Sequence, residues 1–126
     1  MKSFAAAVLC ALLTACAQTL TVTERDDGRT LSVARGTKVA VILPENPSTG
    51  YSWEFFFFPH NQTALADAAA KYAAPDTDLL GVPGTKEFSF TAAKTGVVTV
   101  TGYYYRPWEK LNEKTDKRVF FTFDVE

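Results

Sequence analysis

Apolar and polar residues alternate with a period of two along most of this chain, and this alternation limits the fold more than any other feature. Residues 19–23 alternate cleanly, and along 118–125 four apolar side chains share one face. Successive side chains of a strand point to opposite faces, so the pattern is typical of strands that bury one face. Similar segments begin near residues 30, 38, 50, 86 and 97. About seven short strands separated by turn residues predict an all-β fold, an antiparallel sandwich or barrel.

One stretch departs from the alternation. Residues 63–74 are rich in alanine and contain no β-branched residue after Thr63, which favours a helix. Pro59 and Pro75 bracket the stretch closely, so a long helix is not expected there. The sequence predicts one or two helical turns, or an irregular connection between sheets.

The N-terminus has the layout of an export signal. Lys2 precedes an apolar run over residues 4–13, which is too short to span a bilayer, and small residues follow. Residues 13–16, Leu-Thr-Ala-Cys, resemble the bacterial lipobox, in which the cysteine is lipidated and becomes the mature N-terminus. We therefore predict a lipoprotein signal peptide over 1–15, lipidation of Cys16 and a mature domain over 16–126. Ordinary signal cleavage nearby, for instance after Ala17, is the alternative.

Lipidation would anchor the exported domain to a membrane of the cell envelope. Ala17 stands where an aspartate is associated with retention in the inner membrane. We therefore expect an outer-membrane lipoprotein that faces the periplasm or the cell surface.

Cysteine and charge narrow the function further. Both cysteines, Cys10 and Cys16, are removed or lipidated in this scheme, so no disulfide is expected in the mature domain. Ten Phe, five Tyr and two Trp supply enough apolar area for one core without a disulfide, and we expect a monomer. Thirteen basic and fourteen acidic residues give a net charge of −1, which argues against nucleic acid as a partner.

Catalytic and metal-binding patterns are weak. His60 is the single histidine, in the loop-like segment 59–62, so a serine hydrolase would have to use it as its base. The acidic pairs at 26–27 and 76–78 do not follow the calcium-loop spacing. We expect no enzymatic activity, no metal and no cofactor.

Three segments rich in proline or glycine interrupt the predicted strands, at 46–50, 81–84 and 106–108. In the first, Pro47 fixes one φ angle, Gly50 permits a positive φ, and the hydroxyl side chains can bond to neighbouring amides. In the third, Arg106 and Trp108 are of the residue types most enriched in binding hot spots. These segments predict contact loops, although simple tight turns, and a Trp108 folded onto the core, remain possible at this point.

The order and spacing of these segments resemble the chagasin family, bacterial and protozoal inhibitors of papain-like cysteine peptidases. That family carries an Asn-Pro-Thr-Thr-Gly loop, a Gly-x-Gly-Gly loop and an Arg-Pro-Trp loop. Ser48 replaces the first threonine and Pro83 replaces a glycine in the second loop. The similarity spans about residues 18–126. The positions that correspond to the family's peptidase-binding loops are Asn46, Pro47, Ser48, Thr49, Gly50, Tyr51, Gly81, Val82, Pro83, Gly84, Arg106, Pro107 and Trp108.

The resemblance implies an immunoglobulin-like β-sandwich with the three loops at one end. It also implies reversible inhibition of a papain-like cysteine peptidase, in which the first loop enters the active-site cleft and the other two hold its rims. The alternative is an immunoglobulin-like lipoprotein module of the cell envelope for adhesion or glycan binding, with Trp108 and residues 103–105 as a stacking platform.

Overall fold

The computed structural model describes residues 18–126, which fold into two stacked β-sheets. Two single-turn 3₁₀ helices, Glu24–Asp26 and Pro47–Thr49, lie in connections. The strands are β1 (Thr19–Val22), β2 (Thr30–Val33), β3 (Lys38–Glu45), β4 (Ser52–Phe58), β5 (Leu65–Ala73), β6 (Gly84–Ala92), β7 (Gly96–Tyr105) and β8 (Lys117–Val125).

Each sheet has four strands, in the orders β1-β3-β6-β5 and β2-β8-β7-β4. The pairs β3–β6, β5–β6, β4–β7 and β7–β8 are antiparallel, as the alternation predicts. The short edge strands β1 and β2 instead pair in parallel, with β3 and β8 respectively. The predicted all-β sandwich is confirmed, and each sheet is mixed because of one parallel edge strand.

Aromatic side chains join the two sheets in the core. Phe90 of β6 lies 5.3 Å, between ring centroids, from Phe123 of β8, and 6.3 Å from Phe57 of β4. Trp53, Phe90, Phe121 and Phe123 are among the largest fully buried side chains. Residues 18–126 therefore carry a complete hydrophobic core and can fold without the residues that precede them.

The prediction of helical turns or an irregular connection over 63–74 is wrong. Residues Leu65–Ala73 form β5, an edge strand that pairs with β6 on one side. A bulge between Ala66 and Ala69 shifts the register, and Asp67 has a φ of 57° there. Pairing with β6 on either side of the bulge satisfies backbone groups on one edge of the strand, and this tertiary contact overrides the helix propensity of alanine.

Strand directions place alternate connections at opposite ends of the sandwich. The β3–β4, β5–β6 and β7–β8 connections lie at one end, since Glu45 is opposite Gly84 and Ser52 is opposite Tyr105 in the sheet registers. The β2–β3, β4–β5 and β6–β7 connections lie at the other end. We call these the loop end and the base.

No helix among residues 18–126 is long and apolar enough to cross a membrane. The predicted signal peptide over 1–15 and the predicted lipidation at Cys16 fall outside the described residues.

Candidate functional site

The three predicted contact loops meet at the loop end. The first, 46–50, joins β3 to β4, the second lies between β5 and β6, and the third follows β7. The backbone N–H of Asn46 donates to the Tyr104 hydroxyl at 3.0 Å, which ties the end of β3 to the opposite sheet. The sandwich thus fixes the position of the first loop between the other two.

The first loop is a rigid single turn. Asn46 caps it, because its side-chain oxygen accepts from the Ser48 backbone N–H at 3.2 Å and the Ser48 hydroxyl at 2.6 Å. The Thr49 hydroxyl donates to the Asn46 carbonyl at 2.8 Å and accepts from the Tyr51 N–H at 3.3 Å. These bonds hold the loop while Pro47, Ser48 and Thr49 remain exposed.

Gly50 ends this turn with a φ of 81°, as the sequence predicts for a glycine at this point. The Trp108 ring lies against Gly50 so closely that a Cβ atom there would overlap it. The position therefore needs glycine for two separate reasons, its backbone conformation and its contact with the third loop.

Arg106 connects the third loop to the first. Its Nε donates to the Thr49 carbonyl at 3.1 Å, and its guanidinium carbon lies 4.7 Å from the centroid of the Tyr51 ring. Trp108 is 72% exposed, so it does not fold onto the core and presents a large aromatic face to solvent. Arg106 thus holds the loops together, and Trp108 is available for contact.

The second loop is joined to the first by a longer bond, in which the Asn46 amide donates to the Gly81 carbonyl at 3.4 Å. Gly81 has a φ of 79°, and Gly81, Val82 and Pro83 are exposed. Gly84 differs from them, because it is buried at the start of β6 against Tyr72 and the Ala73 carbonyl. Of the four predicted residues in this loop, Gly84 has a packing role.

Two exposed leucines in the same loop were not among the predicted site residues. Leu79 is 72% exposed and Leu80 is 98% exposed, just before Gly81. Their position in the sequence could have indicated this exposure, because the two adjacent leucines lie outside any alternating segment, between a polar stretch and a Gly/Pro turn. With Trp108 and Val82, they make the loop end rich in exposed apolar groups.

A buried charge supports the first loop from beneath. Glu45 is only 4% exposed, and its carboxylate accepts from the Trp53 backbone N–H at 2.8 Å and lies 3.8 Å from the Lys86 ammonium. The Trp53 indole N–H in turn donates to the Pro44 carbonyl at 2.8 Å. Sequence reasoning did not single out Glu45, although its place in the inward-facing phase of β3, after Leu43, marks it as unusual.

The loop end has the chemistry of a binding surface. The Ser48 hydroxyl donates to the Asn46 amide oxygen at the loop end, whereas His60 follows β4 at the opposite end of the sandwich. The two are therefore too far apart to act as a nucleophile and its general base. No group of three or more His, Cys, Asp or Glu residues among 18–126 is arranged to hold a metal ion. What the loops offer is small exposed side chains flanked by exposed apolar ones.

Comparison with known proteins identifies relatives of the whole domain. The sequence model described as Chagasin family peptidase inhibitor I42 matches residues 32–125. Chagasin from Trypanosoma cruzi is 38% identical over 89 residues, which cover 69% of this chain and 81% of chagasin.

Solved structures share the same fold. The cysteine protease inhibitor EhICP2 from Entamoeba histolytica superposes with a TM-score of 0.69 at 24% identity, covering 87% of this chain and 97% of that one. PbICP-C, solved in complex with falcipain-2, gives a TM-score of 0.56 at 20% identity and covers 86% and 92% of the two chains.

Proposed function

This chain belongs to the chagasin family of peptidase inhibitors, and on that premise we propose that it blocks the active-site cleft of a papain-like cysteine peptidase with three loops. The protein is a cysteine peptidase inhibitor and not an enzyme. The observation that supports this binding mode is the linkage of the loops, in which Thr49 accepts from Arg106 and Asn46 donates to Gly81. The solved complex of PbICP-C with falcipain-2 supports the same class of target.

In this proposal the segment from Asn46 to Gly50 is the central wedge. Its exposed side chains, Ser48 and Thr49, are small enough for a narrow cleft, and its internal hydrogen bonds are already formed. A loop that is ordered before binding loses little conformational entropy on binding. No covalent bond to the target needs to form or break, so inhibition is reversible.

The flanking loops hold the rims of the cleft. Gly81, Val82 and Pro83 line one wall, and we add Leu79 and Leu80 to this set because of their exposure. Arg106, Pro107 and Trp108 anchor the opposite wall, with the Trp108 indole as the main apolar contact. We propose that the inhibitor acts as a monomer, since one copy carries all three loops.

Replacement of residues 46–50 by a Gly-Ser linker of equal length tests this assignment. Titration of papain with residues 18–126 gives the reference inhibition constant, and the linker variant is expected to lose inhibition by several orders of magnitude because the wedge is absent. A matched control replaces the exposed turn 93–95 at the base, which is expected to leave the constant unchanged. An unchanged constant for the 46–50 variant would contradict the wedge.

The same variant separates the inhibitor from the adhesion or glycan-binding module. A glycan reader that uses Trp108 and residues 103–105 would not depend on residues 46–50. The family match and the chagasin relative give that module no support.

We also propose that residues 1–15 are a lipoprotein signal peptide and that lipidated Cys16 anchors the domain 16–126 in the outer membrane, facing the periplasm or the cell surface. The lipobox-like residues 13–16 support the lipidation, and Ala17, in place of the aspartate associated with inner-membrane retention, supports the outer membrane. Growth of expressing bacteria with an alkyne-labelled fatty acid is expected to label the full chain but not Cys16→Ser. Equal absence of label from both chains would favour ordinary signal cleavage.

A further inference from the structure

The chain enters the sandwich at the base, away from the binding loops. β1 begins at Thr19, which lies opposite Lys38 in a parallel register, and the Lys38 N–H donates to the Gln18 carbonyl at 2.9 Å. Lys38 is the first residue of β3, whereas the wedge follows the last residue of the same strand. Gln18 and the wedge are therefore separated by the length of β3, about 25 Å for eight residues at roughly 3.3 Å each.

The base carries cations without carboxylate partners. Arg35, Lys38 and Lys94 are exposed, and none of them makes an ion pair within the part of the chain that the structure describes. Backbone bonds hold their segments side by side: Gly36 N–H donates to the Ala92 carbonyl at 2.7 Å, just before the 93–95 turn. The three cations thus lie at the same end of the sandwich, on its exposed surface.

Exposed apolar and acidic groups complete this surface. Phe58, at the end of β4, is 74% exposed, and Val97, at the start of β7, is 59% exposed. Asp124 lies opposite Val97 in the sheet, and the Glu126 carbonyl accepts from the Arg35 N–H at 3.3 Å. Asp67 is exposed next to Ala66, which has the same partner in β6 as Lys38, so three acidic residues share the base with the three cations. Exposed apolar side chains of this size mark surfaces that contact membranes or other proteins.

We propose that the base rests on the lipid headgroups of the anchoring membrane, with Phe58 and Val97 in contact with them and the peptidase-binding loops facing away from the bilayer. This orientation depends on the proposed lipidation of Cys16, which stands two residues before Gln18. Two residues span at most about 7 Å, so the anchor holds the base against the bilayer. The loop end stays open to the aqueous phase, and the anchored inhibitor binds soluble peptidases that approach the membrane.

A fluorescence experiment tests this orientation independently of natural lipidation. Residues 16–126, whose one thiol is Cys16, are coupled to maleimide lipid in vesicles of equal parts phosphatidylglycerol and phosphatidylcholine, with or without brominated acyl chains. Brominated chains quench tryptophans near the bilayer. Quenching is compared between the native chain, which has exposed Trp108 at the loop end, and Phe58→Trp/Trp108→Phe, which has its exposed indole at the base. Trp53 is buried in both chains and gives the same background.

We expect quenching of the indole at position 58 and none of Trp108, together with an inhibition constant for papain on vesicles within about twofold of that in solution. Quenching of Trp108, or loss of inhibition after coupling, would overturn the proposed orientation. Failure of fatty-acid labelling in cells would overturn the lipidation and not the orientation. The vesicle experiment does not depend on cellular lipidation, because maleimide coupling attaches the lipid to Cys16 chemically.

Charge-reversal variants test the contribution of the cations. Arg35→Glu/Lys38→Glu/Lys94→Glu is expected to reduce quenching at position 58 on the anionic vesicles, and to have little effect on vesicles of phosphatidylcholine alone. Arg25→Glu/Lys110→Glu/Lys114→Glu changes the net charge equally at exposed positions away from the base and is expected to leave quenching unchanged. Equal loss of quenching in both variants would show a net-charge effect and overturn the specific role of the base.

Discussion

Gly50 is a single residue on which two loops depend. Its φ of 81° disfavours any side chain, and a Cβ there would also displace the Trp108 ring. Gly50→Ala is therefore expected to weaken inhibition of papain by about tenfold or more, through both the wedge and Trp108. The inhibition constant and the fluorescence of Trp108 measure the two effects.

Gly36→Ala is the matched control for that prediction. Gly36 has a φ of 91° with open space around it, and it lies at the base. It is expected to lose about 1 kcal/mol of stability from backbone strain alone, without loss of inhibition. Equal inhibition constants for the two variants would show that contact with Trp108 contributes nothing.

Thr49 is expected to be more sensitive to change than Trp108. Thr49→Arg places a long, charged side chain on the wedge, where a narrow cleft has no room for it, whereas Trp108→Ala removes one apolar contact from the rim. Loss of a rim anchor typically weakens binding by about 2 kcal/mol, and a blocked wedge is expected to weaken it more. Inhibition constants for the two variants decide the order, and an undiminished constant for the Thr49 variant would remove Thr49 from the wedge.

At the residue scale, motif residues could be predicted and supporting residues could not. The positions in the three loops follow from local chemistry, such as glycine at a positive φ after a proline turn. The supporting role of Glu45 depends on contacts with Trp53 and Lys86, which belong to other strands and are not linked to Glu45 by any local sequence pattern. The exposure of Leu80 likewise depends on how the β5–β6 connection projects from the sandwich.

At the scale of elements, β5 has the least support from its own sequence. Ala69 faces Ser89 of β6 and is exposed. In a strand, Ala69→Thr is expected to raise the free energy of unfolding by a few tenths of a kcal/mol, because β-branched residues favour extended backbone. Urea denaturation measures this change.

Ala68→Thr is the control for β5, since Ala68 falls within the bulge and has no paired residue in β6. We expect no gain there. Destabilisation by Ala69→Thr would indicate a segment that behaves as its helix propensity predicts.

The alternation predicted seven of the eight strands, and β5 is the one that it missed. Alternation marks strands with one buried face, whereas Asp67–Ala73 is exposed on both faces and carries no such signal. Parallel pairing of β1 and β2 was likewise not predictable, because the alternation within a strand is the same for either direction of its neighbour.

At the scale of the whole molecule, the sandwich has no cysteine among residues 18–126, and its stability rests on the contact between the sheets. Phe90 is central to that contact, because its ring packs against Phe88, Phe57 and Phe123 on three different strands. In the register of β6 it lies opposite Val39, near the base. This part of the core therefore lies away from the loop end.

Phe90→Ala separates stability from inhibition. Truncation of a buried aromatic costs about 3–5 kcal/mol, a large part of the ~5–15 kcal/mol that stabilises a domain of this size, and no disulfide limits the loss. We expect a markedly lower melting temperature but an unchanged inhibition constant for papain at temperatures where the variant is fully folded, because the bonds that link Asn46, Thr49, Gly81 and Arg106 are local to the loop end. Phe90→Leu, which keeps most of the volume, is expected to lose less. Circular dichroism and inhibition assays on the same samples measure both quantities, and a weaker constant in the fully folded Phe90→Ala protein would show that the core, and not the loop contacts alone, sets the geometry of the site.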